Sequence, residues 1–322
     1  MKKKNRKLRA AICIGVAVLI LSMAVFANYD NANGYATIKN ATKNMLFSDN
    51  YTMNIEASID IDGVLIGEVE GQNYKIDKNG NPQLSMEDIT ASGFGGSAYH
   101  YSTVIQDGKR YVKSEYNGQV SMYEYDYYDN PLLYTPDDEV FGKGVNFIET
   151  LSDTLIGDIK NNIVLAQTDG DNRTYNLNMT GEQLPKYITA AFSFACAGAR
   201  TGQSNYDENY IYELDPNDPG DLIDMIMTNP NEPYINTVTG SVTVDGHDRI
   251  TAFDGKLVIT GYDQDNNMRN FNFNIKLTAG DYGTTVIEPI NPDDYVSYLS
   301  GTSHIVTVDD GVVSTHPYSN AE

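Results

Sequence analysis

A strict alternation of apolar and polar residues, repeated between short turns, constrains the fold of this chain more than any other feature of its sequence. From Tyr51 to Ile61 the apolar residues fall on every second position. A period of two is that of a β-strand with one buried face. The dipeptide Asp62-Gly63 that follows predicts a tight hairpin turn, and a second strand-like segment returns after it. The first two strands of the chain are therefore predicted to form an antiparallel hairpin.

Strand-like segments separated by turn residues continue through most of the sequence. In the first half, turns are predicted at Asp107-Gly108 and Asn117-Gly118. In the second half they are predicted at Asp245-Gly246, at Asp254-Gly255 and from Asp263 to Asn267. The sequence contains no internal repeat of fixed period. We therefore expect a long antiparallel meander.

Three segments carry the periodicity of helices instead. Residues 35–47 read as an amphipathic helix with Ile38 and Leu46 near its apolar face. Residues 145–159 form a second helical segment, and residues 180–199 form a third. The sequence therefore predicts an N-terminal helix and a central helical insertion in the meander.

The N-terminus determines the compartment. Six basic residues within positions 1–9 precede 18 uncharged residues at 10–27. At about 1.5 Å per residue this segment makes about 27 Å of helix, just enough to cross a hydrocarbon core of about 30 Å. The positive-inside rule then places the tail at 1–9 in the cytoplasm and everything after a short stalk at 28–34 outside. Cleavage near Ala27, which would make the segment a removed signal peptide and the body a secreted protein, remains open.

The exported part is expected to form a single domain. We place it at residues 35–299, with an irregular excursion at 202–234 and a loose polar tail at 300–322. A chain of this length can bury a sizeable core. The residues expected in that core include Ile55, Ile59, Phe192, Val258 and Phe273.

The charge of the body excludes one class of partner. Once the six N-terminal basic residues are set aside, 16 basic residues remain against 44 acidic ones. A surface so acidic repels polyphosphates, so we expect no nucleic-acid partner. The membrane, and a lipid, a lipoprotein or another envelope protein, are the expected partners.

No motif in the sequence indicates catalysis. The chain has two cysteines, and Cys196 lies in an apolar segment typical of a buried, inert thiol. The four histidines are scattered, and neither a metalloprotease nor a serine-hydrolase motif occurs. The segment Asp263–Asn267 resembles the start of a calcium loop but has Met268 at the sixth position and Asn274 at the twelfth, so a plain hairpin turn is favoured. We therefore predict no catalytic residue, no cofactor and no metal site.

A run of tyrosines is the most unusual local feature. At period two, one strand face carries Tyr123, Tyr125 and Tyr127, and the acidic residues between them point the other way. Such a stripe is suited to stacking on sugar rings or lining a groove, and cross-strand packing explains it equally. The helix at 180–199 is also apolar on more than one face. The candidates for lining a ligand groove are therefore Ile38, Leu46, Tyr187, Phe194, Tyr123, Tyr125 and Tyr127.

The order of these elements resembles that of a known superfamily. The segments at 33–63, 153–165 and 176–192 are similar to the helix-then-strand opening and the helical insertion of LolA/LppX/RseB-like half-barrel envelope proteins, here of the membrane-anchored Gram-positive type. The resemblance implies an α+β fold: a curved, unclosed antiparallel β-sheet with its helices packed on the concave face. Some members carry lipids or lipoproteins on that face, and others sense the state of the envelope.

Three functions follow from these observations. The first is a non-enzymatic, membrane-tethered envelope module that binds an apolar or amphiphilic ligand or regulates a membrane partner. The second is a structural or protein-interaction module whose core is filled and takes no ligand. The third is a cell-wall hydrolase, for which the many carboxylates supply no specific signal.

Overall fold

A computed structural model of the protein describes most of the exported part of the chain. The described residues are 33–92, 99–116, 119–126, 131–133, 143, 163–186, 188–190, 192–194, 196, 229, 231–263, 265–297, 304–309 and 312–317. The predicted membrane segment at 10–27, the helix at 145–159, the Asn117-Gly118 turn and most of the excursion at 202–234 lie outside these residues. Within the described residues, no helix is both long and apolar enough to cross a membrane.

Twelve of the described strands form one sheet. Its order runs β12-β6-β5-β4-β3-β2-β1-β11-β10-β9-β8-β7, with two different strands at its ends, so the sheet is unclosed. The two-residue strand β12 lies parallel to β6, and the hairpin pairs along the sheet are antiparallel. The strands are β1 Asn50–Ile61, β2 Val64–Asp77, β3 Leu84–Ser92, β4 Tyr99–Gln106, β5 Lys109–Tyr116, β6 Gln119–Asp126, β7 Ile163–Asp169, β8 Asn172–Thr180, β9 Tyr234–Val244, β10 Ile250–Tyr262, β11 Met268–Gly280 and β12 Val296–Ser297.

Helices contribute little to the described fold. The predicted N-terminal helix is confirmed as α1, Asn33–Phe47. The third predicted helix begins later than expected: Gly181–Gln183 is a 3₁₀ turn closed by a capping box between Thr180 and Gln183, and the helical residues described after it are 186, 188–190, 192–194 and 196. Of the expected α+β fold, the unclosed antiparallel sheet and the N-terminal helix are confirmed, and the described residues are mostly β with a short second helix.

Two further expectations are corrected by the strands. The tail expected to be loose contains a hairpin of β13, His304–Asp309, and β14, Val312–Pro317, because both segments are rich in β-branched residues. Asp254-Gly255 is not a turn but lies within β10, paired with Ser241 and Gly240 of β9. A Cβ on Gly255 would lie 2.5 Å from Cζ of Phe253, so glycine leaves room for that ring.

The chain groups into two compact units. Unit 1 comprises Met1–Met45, Ala57–Glu68 and Gly144–Leu277, and unit 2 comprises Leu46–Glu56, Val69–Lys143 and Thr278–Glu322. The single domain predicted at 35–299 stays a prediction.

The core of unit 1 lies between α1, the short second helix and one face of its strands. Three residues of α1 at helical spacing are buried, Ile38, Ala41 and Met45. Phe192 and Phe273 are buried as predicted, as is Ile59. Val258 is only half-buried, because the residues of β10 that point inward are Leu257 and Ile259. A register shift between Val258 and Ile259 separates this end of β10 from the rest of its pairing with β9.

The opposite face of the strands in unit 1 is polar. Asn272 donates to Asp60 across β11 and β1 at 2.7 Å, and Asn274 donates to Ser58 at 3.2 Å. The apolar residues that alternate with these polar ones along β1 and β11 therefore point to the opposite face, toward the helices, as the period of two predicts.

Unit 2 has its own apolar core. Its fully buried side chains include Ile76, Leu84 and Ile105. Tyr51 is also buried, and its ring stacks on Tyr282 with a centroid separation of 5.9 Å. Burial raises the pKa of the Tyr51 phenol to about 12. Ile55, which the sequence placed in the core, is only half-buried in this unit.

Candidate ligand-binding face

The tyrosine run of β6 lies on one face of a four-stranded part of unit 2. The register of β3 to β6 aligns residues in rows across the strands, and rows two residues apart along a strand share one face. We call this surface the tyrosine face. Its rows are Leu84, Ile105, Arg110 and Tyr125 in the first, Met86, Thr103, Val112 and Tyr123 in the second, and Asp88, Tyr101, Ser114 and Ser121 in the third.

Aromatic contacts fix the outer part of this face. Tyr123 and Tyr125 meet edge to face, with ring centroids 6.4 Å apart and an interplanar angle of 63°. The guanidinium carbon of Arg110 lies 5.6 Å from the centroid of the Tyr125 ring. A cation at this distance over an aromatic face is attracted by the ring quadrupole. Both tyrosines are half-buried, so one part of each ring remains accessible.

The tyrosine face changes from apolar to polar along the strands. Leu84 and Ile105 in the first row are fully buried, whereas the third row carries two serines and a carboxylate. That carboxylate belongs to Asp88, which is buried and accepts a hydrogen bond from Nε2 of Gln72 at 3.1 Å. The phenol of Tyr74 donates to Oε1 of the same Gln72 at 3.2 Å. The pKa of the Tyr74 phenol is raised, mainly by burial and to a lesser extent by the charge of Asp88.

One buried polar group of the face lacks a partner. Thr103 is 5% exposed, and its hydroxyl has no hydrogen-bond partner in the described part of the chain. It stands in the middle row, between Met86 and Val112. A buried hydroxyl without a partner costs about 1–3 kcal/mol.

The opposite face of these strands is already occupied. The ring of Tyr295 packs edge-on against Tyr111 with centroids 5.2 Å apart. Gln106 donates to the carbonyl of Ile290 at 3.2 Å and accepts from its amide at 3.0 Å. The segment after β11 therefore covers this side, and Glu124 on the same side pairs with Lys109.

The other predicted groove residues lie elsewhere. Ile38 is buried in unit 1, and Leu46 is half-buried at the C-terminal end of α1. Phe194 is 81% exposed, whereas Ile188 and Phe192 of the same helix are buried. The side chains of Tyr187 and Tyr127 lie outside the described residues. A ligand role for these five residues stays a prediction.

The contact between α1 and the sheet in unit 1 is nearly filled. A cavity of about 10 Å³ lies there, lined by apolar side chains that include Ile38, Tyr175 and Phe253. That volume corresponds to about one water molecule. This cavity is therefore too small for an acyl chain.

The segment that resembled a calcium loop is a closed turn. Oδ1 of Asp263 accepts the backbone amides of Asp265 at 3.0 Å and Asn267 at 2.8 Å. Oδ2 accepts from the Asn267 side chain and from Nε of Arg269 at 3.0 Å. Among the described residues, no group of three His, Cys, Asp or Glu side chains is placed to hold a metal ion. Cys196 is buried, as expected from the sequence.

Two contributors to the tyrosine face could not be identified from the sequence. Arg110 and Thr103 reach it only through the register of β4 with β5 and β6. The alternation within β6 placed Tyr123 and Tyr125 on one face. The sequence of β6 does not specify its register with the neighbouring strands, so it does not show which residues lie beside the two tyrosines.

Comparisons with known proteins supply a structural likeness. No protein-family model matches the chain, and no curated protein matches it. Among solved structures, the crystal structure of LprF from Mycobacterium bovis is similar to it, with a TM-score of 0.32 and 11% sequence identity. The similarity covers 80% of this chain and 95% of the LprF chain. A likeness of this extent leaves the ligand to be inferred from the residues of this chain.

Proposed function

We propose that this chain is a non-enzymatic, membrane-tethered module of the cell envelope that binds an amphiphilic, lipid-like ligand on the tyrosine face. The apolar segment at 10–27 supports the tether. We further propose that the unclosed sheet is curved, as in the half-barrel proteins that the sequence resembles, with its helices on the concave side.

The change in polarity across the tyrosine face is the observation that carries the proposal. Leu84, Ile105 and Asp88 are buried, so the accessible part of the face consists of its half-buried residues. Tyr123, Tyr125 and Val112 offer apolar contact toward one end, and the hydroxyls of Ser114 and Ser121 offer hydrogen bonds at the other. An amphiphile has the same two parts, so it gains from both ends of such a face. Binding sites for small molecules typically combine an apolar lining with a few polar groups in this way.

A second function is favoured by unit 1. There the helix–sheet contact leaves a cavity of only about 10 Å³. If other parts of the chain cover the tyrosine face as closely as α1 covers the sheet in unit 1, the chain is a structural or protein-interaction module without a ligand. A cell-wall hydrolase remains the third and least supported alternative, since the sequence offers no motif for it.

Mass spectrometry of the full chain, extracted gently from its native membrane, tests the first proposal against the second. A bound amphiphile that stays with the protein through purification is the expected result. The same spectrum reports whether residues 1–27 are still present. Protein that carries no ligand in its extracted form, and takes none up from added lipid, would establish the packing-only module instead.

A further inference from the structure

A short tether keeps unit 1 close to the bilayer. This inference rests on the proposed membrane tether at 10–27. Between Ala27 and the start of α1 at Asn33 there are six residue steps. Even fully extended, they span at most about 21 Å. The start of α1 therefore lies within about 21 Å of the bilayer, and the part of unit 1 around it is the part held nearest to the membrane.

The beginning of α1 shows which part that is. A Cβ placed on Gly34 would lie 2.9 Å from Cδ1 of Tyr175 and 3.0 Å from Cγ2 of Ile163, the first residue of β7. The tether therefore joins the unit beside the start of β7. The other end of α1 is held elsewhere, because Asn44 donates to the carbonyl of Asp248 in the β9–β10 turn at 2.8 Å.

The surface beside the tether is apolar and uncharged. Ile163 is buried, but Val164 is 59% exposed and Leu165 is 52% exposed. No charged residue occurs between Ile163 and Thr168, in a body where acidic residues outnumber basic ones. Among the described strands, β7 is at the edge of the sheet. Exposed edge strands are usually protected by charged residues, which are missing from this one until Asp169.

We propose that the start of β7, through Val164 and Leu165, contacts the surface of the bilayer to which the chain is tethered. The side chains of Val164 and Leu165 point to opposite faces of the sheet. Because β7 is at the edge, both side chains can contact a membrane that lies along this edge. The outward backbone groups of β7 need hydrogen-bond partners, which water and headgroups supply and hydrocarbon does not. The contact is therefore interfacial.

Weak affinity is enough for this contact. Two exposed apolar side chains bury little area, and a free domain would not stay on a membrane through them alone. A tether this short makes the contact intramolecular, with an effective concentration in the millimolar range. The contact then sets the orientation of unit 1, while the apolar segment at 10–27 provides the attachment.

Single-tryptophan variants of the full chain test this contact, because the sequence contains no tryptophan. Leu165→Trp places the probe on β7, with Val164→Trp as a second variant in case the first fails to fold. His247→Trp is the matched control, since His247 is exposed in the β9–β10 turn near the other end of α1. Each variant is reconstituted into phosphatidylcholine–phosphatidylglycerol vesicles with and without brominated acyl chains.

Flotation of the protein with the vesicles on a density gradient is measured first and reports attachment to the membrane. Quenching of the tryptophan fluorescence by bromine is measured second. We expect all variants to float, and bromine to quench the probe on β7 at least twofold more than the probe at position 247. Equal quenching in floating protein would overturn the bilayer contact and leave the tether intact. Protein that does not float would overturn the tether itself, and the contact with it.

Discussion

Arg110 lies over the ring of Tyr125, with 5.6 Å between its guanidinium carbon and the ring centroid, and the two residues are direct partners in the register of β5 and β6. Tyr125 also meets Tyr123 edge to face. Both rings therefore have packing partners on the sheet before any ligand arrives. A preformed aromatic surface loses less conformational entropy on binding than a mobile one.

An acidic residue in the core of unit 1 should unfold the chain. Ile59 is 2% exposed, so Ile59→Asp places an unpaired charge among apolar groups. We expect a loss in the free energy of unfolding of more than about 4 kcal/mol, measured by urea denaturation.

The neighbouring position provides the control for this substitution. Ser58 is half-buried on the polar face, where it accepts a hydrogen bond from Asn274 at 3.2 Å. Ser58→Asp keeps an acceptor there and should leave the urea midpoint nearly unchanged. A cooperatively folded Ile59→Asp variant with a normal midpoint would contradict the assigned register of β1.

A methyl group at Gly181 should be far more harmful than one at Gly280. A Cβ on Gly181 would collide with the carbonyl oxygen of Ile235, a main-chain atom that cannot rotate away, whereas a Cβ on Gly280 would meet nothing within 4 Å. We expect Gly181→Ala to cost about 1–3 kcal/mol and Gly280→Ala to be nearly neutral. Thermal unfolding of both variants measures the difference, and equal melting temperatures would show that the 3₁₀ turn is not packed as described.

The turn around Asp263 should make stability depend on pH in acid. Burial alone would raise the pKa of this carboxyl, but hydrogen bonds from Asn267, Arg269 and the amide of Asp265 outweigh it, so the pKa lies below its ordinary value. The stabilisation is complete above the unfolded-state pKa of about 3.9 and is lost as the pH falls through the lower folded-state pKa.

Replacement of that carboxylate isolates its contribution. Asp263→Asn should lower the melting temperature at pH 7, because Arg269 loses one of its two charged partners, the one at 3.0 Å, and keeps Asp62 at 3.2 Å. The gap between the variant and the unmodified chain should narrow as the pH falls below about 4. A gap that stays constant down to pH 2 would exclude Asp263 as the titrating group.

Removal of calcium should have little effect. Both oxygens of Asp263 already accept hydrogen bonds, two on Oδ1 and two on Oδ2. A cation would have to displace Arg269 to bind there. Treatment with a chelator is therefore expected to move the melting temperature by less than about 1 °C. A large fall would mean that an ion holds the turn together.

Two Asp-Gly dipeptides show what the local sequence can and cannot predict. Asp62 and Gly63 have φ values of 50° and 85°, which suit an aspartate and a glycine in a type I′ turn, and the sequence predicted this turn correctly. The dipeptide at Asp254-Gly255 is chemically the same but lies within a strand. The difference is made by the Phe253 ring over Gly255, a packing contact that local propensity does not contain.

The candidate site was predictable only in part, for a similar reason. Alternation within β6 put Tyr123 and Tyr125 on one face, and the structure confirms their proximity. The positions of Arg110 and Thr103 beside them depend on the pairing of three strands, which a single sequence does not specify. The prediction for Val258 was wrong because the inward positions of β10 alternate from Phe253 through Leu257 to Ile259, which places Val258 on the outward face.

The tyrosine face is tested most directly by titrating the full chain, in detergent, with a fluorescent lipid. The unmodified protein should bind with a dissociation constant in the micromolar range, equivalent to about −8 kcal/mol. Tyr123→Ser should weaken binding at least tenfold. Met122→Ser, which changes the adjacent half-buried residue on the opposite face of β6, should leave it within twofold. No binding by the unmodified protein, or equal loss in both variants, would contradict the account.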